Sequence, residues 1–345
     1  MARLKYTIGV QPDLLPENSF SDRWIPQLKA MGHDVRELMV TAPDFLERVN
    51  ECDGFLWWFP PLPRPREVGK RVLQALDHAG KVFVHPDARS CWHFDDKVAQ
   101  AYLLQSCDVP MPHTRVFWRY DHAIEFFRGA QFPVVVKLSA GVRSQNVALL
   151  RTFAEAQRLA RRMFGSGVET LGPRRFSALR VASRPLRSAV QLHVFGAPLP
   201  RPEVHRGYML VQEFVAGNDF DTRVNVIGNR AFAFRRPNRP NDFRASGSQM
   251  PDDDPSKISL DAIRLAFDAS KKLRMPILCF DILRRNDEPV ITEISYYFNA
   301  PTIGACPGHW RMQNDELQWI DGRMRAEDAV LEDFLARLSS FRNKS

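Results

Sequence analysis

Residues 281–299 have the sequence Asp-Ile-Leu-Arg-Arg-Asn-Asp-Glu-Pro-Val-Ile-Thr-Glu-Ile-Ser-Tyr-Tyr-Phe-Asn. Two apolar runs flank a polar turn at residues 284–288, and this pattern predicts a β-hairpin. Each run contains one acid, Asp281 in the first and Glu293 in the second. A carboxylate in a buried strand is costly unless a cation or hydrogen-bond donors meet it, and Mg²⁺ binds carboxylates together with substrate phosphates. The hairpin therefore predicts a magnesium site, and the alternative is a sheet edge with two solvated acids.

The first 90 residues alternate between short apolar runs and amphipathic segments. Strands are predicted at residues 6–10, 33–40, 51–59 and 81–85, and helices at residues 22–31 and 66–79. Alternating strands and helices at this spacing predict a small parallel sheet covered on both faces. These residues contain no Gly-x-Gly-x-x-Gly phosphate loop, so a dinucleotide-binding fold is not supported.

Two lysines lie where an anion could bind. Lys97 belongs to a predicted helix over residues 95–108 with an acidic first turn. Lys137 ends a strongly apolar strand, and the small, donor-rich residues 139–146 follow it before a strand resumes at Val147. An ammonium group and the backbone N–H groups of such a loop can surround a polyphosphate. The alternative is an ordinary β-turn after a strand that ends in lysine.

The second half of the chain is rich in predicted strands. Strands are predicted at residues 210–215, 221–227 and 230–235, a donor-rich loop at 242–247, helices at 260–272 and 327–338, and an irregular tail at 306–319. Gly228-Asn229 is a direct signal for a hairpin. Alternation places Asp221, Arg223 and Asn225 on one face of the first strand of that hairpin.

Length and composition indicate a globular protein. The chain has 345 residues, of which 44% are apolar and 26% charged, enough for two or three domains and unlike a disordered protein. No run reaches the roughly 18 apolar residues of a membrane span, and the start lacks the apolar core and cleavage site of a signal peptide. The five cysteines are scattered without metal-ligand spacing. We therefore expect a cytoplasmic protein with reduced thiols.

A net charge of +8, from 48 basic and 40 acidic residues, favours an anionic partner. Residues 165–207 concentrate this charge, with seven arginines against two acids. A solvated insertion is the ordinary interpretation, and a cradle for an anionic acceptor is the alternative. The arginines are Arg174, Arg175, Arg180, Arg184, Arg187, Arg201 and Arg206. No nucleic-acid recognition motif accompanies them, so no specific nucleic-acid partner is expected.

Taken in order along the chain, these motifs resemble the ATP-grasp superfamily, and within it the branch of glutathione synthetase and RimK-type carboxylate–amine ligases. The ordered positions are Lys97, Lys137, Gln212-Glu213-Phe214-Val215, Asp221-x-Arg223, Arg235, Asp242-Phe-Arg244, Asp281 and Glu293. The resemblance implies an α/β (α+β) ATP-grasp fold with an N-terminal parallel βαβ domain, the pre-ATP-grasp domain. The domains implied are residues 1–92, residues 93–210 with the lysines, phosphate loop and arginine-rich insertion, and residues 211–345 with the metal-binding acids and the tail helix.

The resemblance also implies a nucleotide site. The lysines would neutralise the ATP phosphates, the loop after Lys137 would cover the β- and γ-phosphates, and main-chain groups of Glu213 and Val215 would bind an adenine edge. The residues implied in nucleotide binding are Lys97, Lys137, Ser139, Gly141, Ser144, Gln212, Glu213, Phe214, Val215 and Asp221.

A metal site and an acceptor site are implied beside the nucleotide. Mg²⁺ or Mn²⁺ would be held by Asp281 and Glu293, with Ser295 at a position where the family commonly has asparagine. The γ-phosphate and an acceptor carboxylate would be bound by guanidinium groups, which suit planar oxyanions. The candidates are Arg223, Arg235 and Arg244.

The reaction implied by the resemblance joins a carboxylate to an amine through an acyl phosphate, with ATP and a divalent cation. The substrates would be small molecules, one of them polyanionic, such as a nucleotide sugar, a sugar acid or an acidic peptide. A faint likeness to ATP-grasp proteins of surface-polysaccharide gene clusters points to that setting or to secondary metabolism. The alternatives are a small-molecule phosphotransferase on the same fold and a catalytically silent nucleotide-binding protein. A homodimer is expected from the general frequency of oligomers.

Overall fold

The computed structural model describes residues 5–13, 18–141, 146–171, 203–245 and 251–343. Ser144 and most of the arginine-rich insertion lie outside these ranges. Within them the chain forms three β-sheets accompanied by helices, which confirms the predicted α/β (α+β) class. None of the helices in these ranges is long and apolar enough to cross a lipid bilayer.

The first sheet is built from the N-terminal segment. Its elements are β1 (Thr7–Val10), α1 (Ser21–Ala30), β2 (Asp34–Glu37), α2 (Phe45–Val49), β3 (Gly54–Leu56), α3 (Pro63–Ala79), β4 (Phe83–His85) and α4 (Ala88–Cys91). The strands pair in the order β2-β1-β3-β4, and every pair is parallel. All three residues of β3 are buried, as expected of a central strand covered on both faces. The predicted parallel sheet is therefore confirmed.

The second sheet carries the two lysines. Its elements are α5 (Lys97–Ser106), β5 (Thr114–Phe117), α6 (Tyr120–Gly129), β6 (Val134–Lys137), β7 (Val147–Leu150), α7 (Phe153–Met163) and β8 (Met209–Glu213). The strands are antiparallel in the order β5-β8-β6-β7. The Asp96 side chain accepts hydrogen bonds from the N–H groups of Val98 and Ala99. This cap makes Lys97 the first residue of its helix.

The third sheet has six antiparallel strands. Its segment contains β9 (Phe220–Ile227), β10 (Arg230–Pro237), a 3₁₀ helix (Pro255–Lys257), α8 (Leu260–Leu273), β11 (Ile277–Arg285), β12 (Glu288–Ser295), α9 (Ala300–Ala305), β13 (Gly308–Gln313), β14 (Glu316–Asp321) and α10 (Ala326–Arg342). The strand order is β12-β11-β9-β10-β13-β14. The predicted hairpins β9–β10 and β11–β12 are confirmed. The apolar residues of α8 pack in one core with one face of this sheet. The opposite face carries the polar site, and the core of the first sheet includes its apolar residues Ile227, Phe232, Phe234, Ile277 and Cys279.

The tail at residues 306–319 was predicted to be irregular, and that prediction was wrong. It forms the hairpin β13–β14 at the edge of the third sheet. Its turn residues Asn314 and Asp315 have φ angles of 51° and 63°, the conformation of a two-residue hairpin turn. Trp310 lies opposite Trp319, with ring centroids 4.6 Å apart. The prediction failed because this turn joins strands poor in β-branched residues, a composition more typical of loops.

The segment after β12 joins the third sheet to the first. Tyr296 is fully buried, and its hydroxyl donates to the carbonyl of Phe59, which follows β3. Tyr297 stacks on Trp58 with ring centroids 5.6 Å apart. This packing places the carboxyl edge of the parallel sheet beside the end of β12. The predicted domain boundaries after residues 92 and 210 stay predictions, and β8 spans the second of them.

Candidate active site

A cleft lies between the second and third sheets. Val135 and Val147 of the second sheet and Leu283 of β11 give it apolar walls. The predicted nucleotide-binding residues that line it are Lys137, Gln212, Glu213, Phe214, Val215 and Asp221. The predicted metal ligands Asp281 and Glu293 line it as well. The fold therefore brings together residues that are far apart in the sequence, on either side of one cleft.

Four charged side chains of the third sheet alternate in sign. Arg223 donates to both oxygens of Asp281, from Nε at 2.8 Å and from Nη2 at 2.9 Å. Arg236 lies 2.8 Å from the same carboxylate and donates to both oxygens of Asp221 at 2.7 and 2.5 Å. Bidentate guanidinium–carboxylate pairs are among the strongest charge-assisted hydrogen bonds. We refer to Asp221, Arg236, Asp281 and Arg223 as the arginine–aspartate chain.

The register of three strands assembles this chain. The two-residue turn between β9 and β10 places Asp221 opposite Arg236. Arg223 lies opposite Asp281 on the neighbouring strand β11. Directly opposite residues in an antiparallel pair share a face, and residues two apart on β9 also share a face. All four side chains therefore meet on one face of the sheet.

The predicted site residue Arg235 does not contact Asp221 or Asp281. It lies on the other face of the sheet, where its guanidinium is 4.2 Å from the ring centroid of Phe220. Its neighbour Arg236, which the sequence analysis did not select, takes the position beside Asp221. The sequence did contain the signal, because counting outward from the two-residue turn pairs Asp221 with residue 236 and not with residue 235.

The charged groups of the arginine–aspartate chain are mostly buried, so each of them needs its ion-pair partner. Asp221 and Asp281 are both buried, as is Arg236. Burial works to raise the pKa of Asp281, but Arg223 and Arg236 hold that pKa well below its usual range. Two carboxylates and two guanidinium groups make the chain neutral as a whole. Its charges are therefore balanced without any bound ligand.

Two buried lysines approach the same region from the second sheet and from α5. Lys97 Nζ lies 3.2 Å from Glu293 Oε1 and donates to the carbonyl of Gly141 at 3.1 Å. Lys137 Nζ donates to the carbonyl of Thr292 at 2.9 Å, and within the described ranges it forms no ion pair with a carboxylate. Burial lowers the pKa of Lys137 from 10.5 to about 8, although Glu293 opposes this effect. We refer to Lys97 and Lys137 as the lysine pair.

The start of the predicted phosphate loop is anchored by protein acceptors. Ser139 donates its N–H to the Tyr208 hydroxyl at 2.6 Å and its own hydroxyl to Asp96 at 2.7 Å. Gly141 donates its N–H to Asp95 at 2.9 Å, and its φ of 143° favours glycine. These two N–H groups were predicted to approach the phosphates, but both are already paired. The sequence analysis did not select Tyr208, Asp95 or Asp96 as anchors of this segment.

The segment predicted to bind adenine follows β8. The side-chain amide of Gln212 donates to a threonine hydroxyl on β5 at 2.9 Å. The N–H of Glu213 donates to the carbonyl that precedes β5 at 2.8 Å. Phe214 and Val215 follow the strand and line the cleft. The N–H of Glu213, one of the main-chain groups predicted to bind adenine, is therefore used inside the protein.

Arg244 lines the cleft beside β7. Its guanidinium is paired with Asp242 at 2.6 Å, and its Nη1 donates to the carbonyl of Val147 at 3.3 Å. The aspartate and the arginine of the Asp-Phe-Arg motif therefore form an ion pair with each other. The hydrogen bond to Val147 holds Arg244 against β7, the strand that follows the phosphate loop.

The three predicted metal ligands differ in how many oxygen lone pairs remain available to a cation. Both oxygens of Asp281 accept from guanidinium groups, and Ser295 Oγ both donates to and accepts from the main chain of Tyr297 at 3.0 Å. Glu293 forms one ion pair in the described part of the chain, with Lys97, and its side chain is 35% exposed. No group of three or more His, Cys, Asp or Glu residues in that part is placed to hold a metal. The donors therefore suit one Mg²⁺ held by Glu293 and nucleotide phosphates, but not one held between Asp281 and Ser295.

Comparison with known proteins agrees with this architecture. Residues 203–301 match the family of RimK-like ATP-grasp domains. The RimK domain ATP-grasp protein of Sphaerobacter thermophilus DSM 20745 is similar at 16% identity and a TM-score of 0.52, over 95% of this chain and 99% of that chain. D-alanine–D-alanine ligase of Bacillus anthracis, complexed with ATP, is similar at 12% identity and a TM-score of 0.55, over 98% and 99% of the two chains.

A third similar structure is the ATP-grasp ligase PsnB complexed with a minimal precursor, at 14% identity and a TM-score of 0.54, over 97% of this chain and 99% of that chain. No curated protein matches the sequence. The chain therefore has the ATP-grasp fold and contains a RimK-like ATP-grasp domain at residues 203–301. That domain includes the whole arginine–aspartate chain and Glu293.

Proposed function

We propose that this protein, with its ATP-grasp fold, is an ATP-dependent, ADP-forming carboxylate–amine ligase that acts through an acyl phosphate. One observation carries the proposal: around Asp281, the described residues place four cations against three carboxylates. The cations are Lys97, Lys137, Arg223 and Arg236, and the carboxylates are Asp221, Asp281 and Glu293. The unmatched positive charge lies beside apolar cleft walls that suit a purine, and a polyphosphate would neutralise it.

In the proposed reaction the acceptor carboxylate attacks the γ-phosphorus of ATP, ADP leaves, and an amine then attacks the acyl phosphate and releases phosphate. Bound Mg²⁺ would neutralise part of the phosphate charge. The lysine pair would bind the phosphates. Arg223 and Arg236, held in place by two aspartates, would stabilise the charge that develops on the transferred phosphoryl group. This scheme needs no Cys, Ser or His nucleophile.

The substrates we propose are a small-molecule carboxylate and an amine, one of them anionic. The reaction class is drawn from ATP-grasp ligases of the same fold. The preference for an anion is supported by the net charge of +8 and by the seven arginines of residues 165–207. A cytoplasmic location and a homodimer stay predictions.

A product assay tests the proposal. The protein is incubated with MgATP and pairs of carboxylates and amines, and ADP, phosphate and amide are measured by chromatography and mass spectrometry. We expect ADP and phosphate in equal amounts, together with an amide, only when both substrates are present. Lys137→Met should abolish turnover, and Lys271→Ala, at an exposed lysine of α8, should preserve it. A stable phosphorylated product without an amide would contradict the ligase and support a phosphotransferase.

A nucleotide-binding protein without turnover is the second candidate. It is favoured by the contacts of Asp281 and Ser295, since both predicted metal ligands are engaged by groups of the protein. This candidate predicts nucleotide binding with no ADP formation for any pair of substrates.

A further inference from the structure

Asp281 has little capacity left for a metal ion. An ionised carboxylate offers about four lone-pair directions. Three N–H donors already meet this carboxylate: Arg223 Nε at 2.8 Å, Arg223 Nη2 at 2.9 Å, and Arg236 Nη2 at 2.8 Å. Its side chain is 11% exposed. A divalent cation would have to enter beside two guanidinium groups that repel it.

Ser295 is also engaged. Its hydroxyl donates to the carbonyl of Tyr297 and accepts from the N–H of Tyr297, each at 3.0 Å. A short hydroxyl side chain held in such a local turn keeps its orientation toward the main chain. The hydroxyl proton and one lone pair are therefore used two residues further along the chain.

Glu293 is more exposed and has fewer partners than Asp281 and Ser295 in the described ranges. It lies opposite Asp281 on the neighbouring strand β12, and its side chain is 35% exposed, three times the value for Asp281. Lys97 is its one ion-pair partner in the described ranges, at 3.2 Å. Most of the lone pairs of Glu293 therefore remain available on the side of the cleft.

We propose that Glu293 is the single side-chain ligand that this site offers a divalent cation, and that Asp281 instead positions Arg223 and Arg236. The inference rests on the proposed function, because the remaining ligands of the cation are the phosphate oxygens of a bound nucleotide and water. The two guanidinium groups lie on the side where a second metal-binding carboxylate was predicted.

The free protein should bind divalent cations weakly. The lysine pair, the arginine–aspartate chain and Glu293 together contain one more cation than carboxylates. Glu213 and Arg244, which also line the cleft, are paired with Arg285 and Asp242, so this set of charges repels a dication until a polyphosphate binds. Mg²⁺ therefore enters together with the nucleotide. Its affinity for the protein alone is low, as expected of an ion that is usually bound by one or two carboxylates plus substrate phosphates.

Titration with Mn²⁺ tests the inference, because free Mn²⁺ gives an electron paramagnetic resonance signal that is lost on binding. The full chain is titrated with Mn²⁺ alone and with Mn²⁺ plus a non-hydrolysable ATP analogue. Binding of the metal-free analogue is measured separately by calorimetry. We expect one Mn²⁺ per chain in the nucleotide complex, and no binding of Mn²⁺ alone over the concentrations that saturate that complex.

Three variants separate the predicted ligands. Glu293→Gln should lower the affinity of the nucleotide complex for Mn²⁺ by at least about tenfold, whereas Ser295→Ala should change it by less than about twofold. Asp281→Asn should still bind one Mn²⁺ per complex. Because Asp281→Asn also destabilises the fold, its Mn²⁺ titration is run at a temperature where circular dichroism shows the variant folded. A loss of Mn²⁺ affinity in folded Asp281→Asn as large as that in Glu293→Gln would overturn the inference.

Two Mn²⁺ per chain, tight Mn²⁺ binding without nucleotide, or equal losses in Ser295→Ala and Glu293→Gln would overturn the inference and leave the nucleotide site intact. If the metal-free analogue and its Mn²⁺ complex both fail to bind, the proposed function and the inference fail together.

Discussion

In the arginine–aspartate chain, two carboxylates and two guanidinium groups alternate at contact distances of 2.5–2.9 Å. In the lysine pair, Lys97 meets one carboxylate and Lys137 meets a backbone carbonyl. Both groups contribute residues to the same cleft, but only the first is neutral without a ligand. The difference separates residues that fix the shape of the site from residues whose charge requires a ligand.

The largest expected effect is the loss of stability when the arginine–aspartate chain is broken. Asp281→Asn leaves Arg223 and Arg236 without their shared carboxylate, and removing one partner of a buried ion pair costs about 3–5 kcal/mol. Urea unfolding followed by circular dichroism measures this free energy. Glu316→Gln, at an exposed acid of β14, is the control and should stay within about 0.5 kcal/mol of wild type. A loss below about 1 kcal/mol for Asp281→Asn would show that the chain does not act as a unit.

Removing a charge from the lysine pair should raise the free energy of unfolding, in contrast to the loss expected for Asp281→Asn. Burial lowers the pKa of Lys137 from 10.5 to about 8, so its charge destabilises the free protein by roughly 3 kcal/mol at neutral pH. Lys137→Met removes this charge, and the free variant should therefore be more stable than wild type at pH 7.

The size of this stability difference depends on pH. Between about pH 8 and pH 10.5 the unfolded state binds more protons at Lys137 than the folded state does, so wild-type stability rises over that interval. The difference between wild type and Lys137→Met should thus narrow from pH 7 to pH 10, as measured by urea unfolding. A variant less stable than wild type at pH 7 would mean that Lys137 is already paired in the free protein.

A third expected effect is proton uptake on nucleotide binding. At pH 8 Lys137 is about half protonated in the free protein, and phosphates would raise its pKa, so binding should take up roughly half a proton per chain. At pH 6 the uptake from Lys137 should be close to zero. Calorimetry in two buffers of different ionisation enthalpy measures the uptake. No uptake by wild type at pH 8, or equal uptake at pH 6 and pH 8, would contradict the assignment to Lys137.

The smallest expected effect concerns the anchor beside the lysine pair. Tyr208→Phe removes the hydroxyl that accepts from the Ser139 N–H and should cost about 1 kcal/mol of unfolding free energy. Tyr120→Phe, at a half-buried tyrosine whose hydroxyl forms no hydrogen bond within the described ranges, is the matched control. The anchor would be unimportant if the two variants lost the same stability in parallel urea titrations.

Much of the fold followed from local patterns. The parallel first sheet came from the alternation of strands and helices, and the hairpins β9–β10 and β11–β12 came from turn signals between apolar runs. The hairpin β13–β14 was missed, because its Asn-Asp turn joins strands without the usual β-branched composition.

The site was harder to predict because pairing depends on which side chains meet across strands. The sequence placed Asp281 on a strand but did not reveal that two guanidinium groups engage it. It also favoured Arg235, although the register of the two-residue turn selects Arg236. The anchor Tyr208 left no local signal, since its contact with Ser139 joins residues 69 positions apart.

The central claim is that the unmatched charge of Lys137 binds nucleotide phosphates, and thermal unfolding with and without MgATP tests it most directly. A ligand at about 100 times its dissociation constant should stabilise the protein by roughly 2.7 kcal/mol. We expect an upward shift of Tm for wild type and for the control Lys271→Ala, and none for Lys137→Met. An equal shift in all three proteins, or no shift in any of them, would contradict the claim.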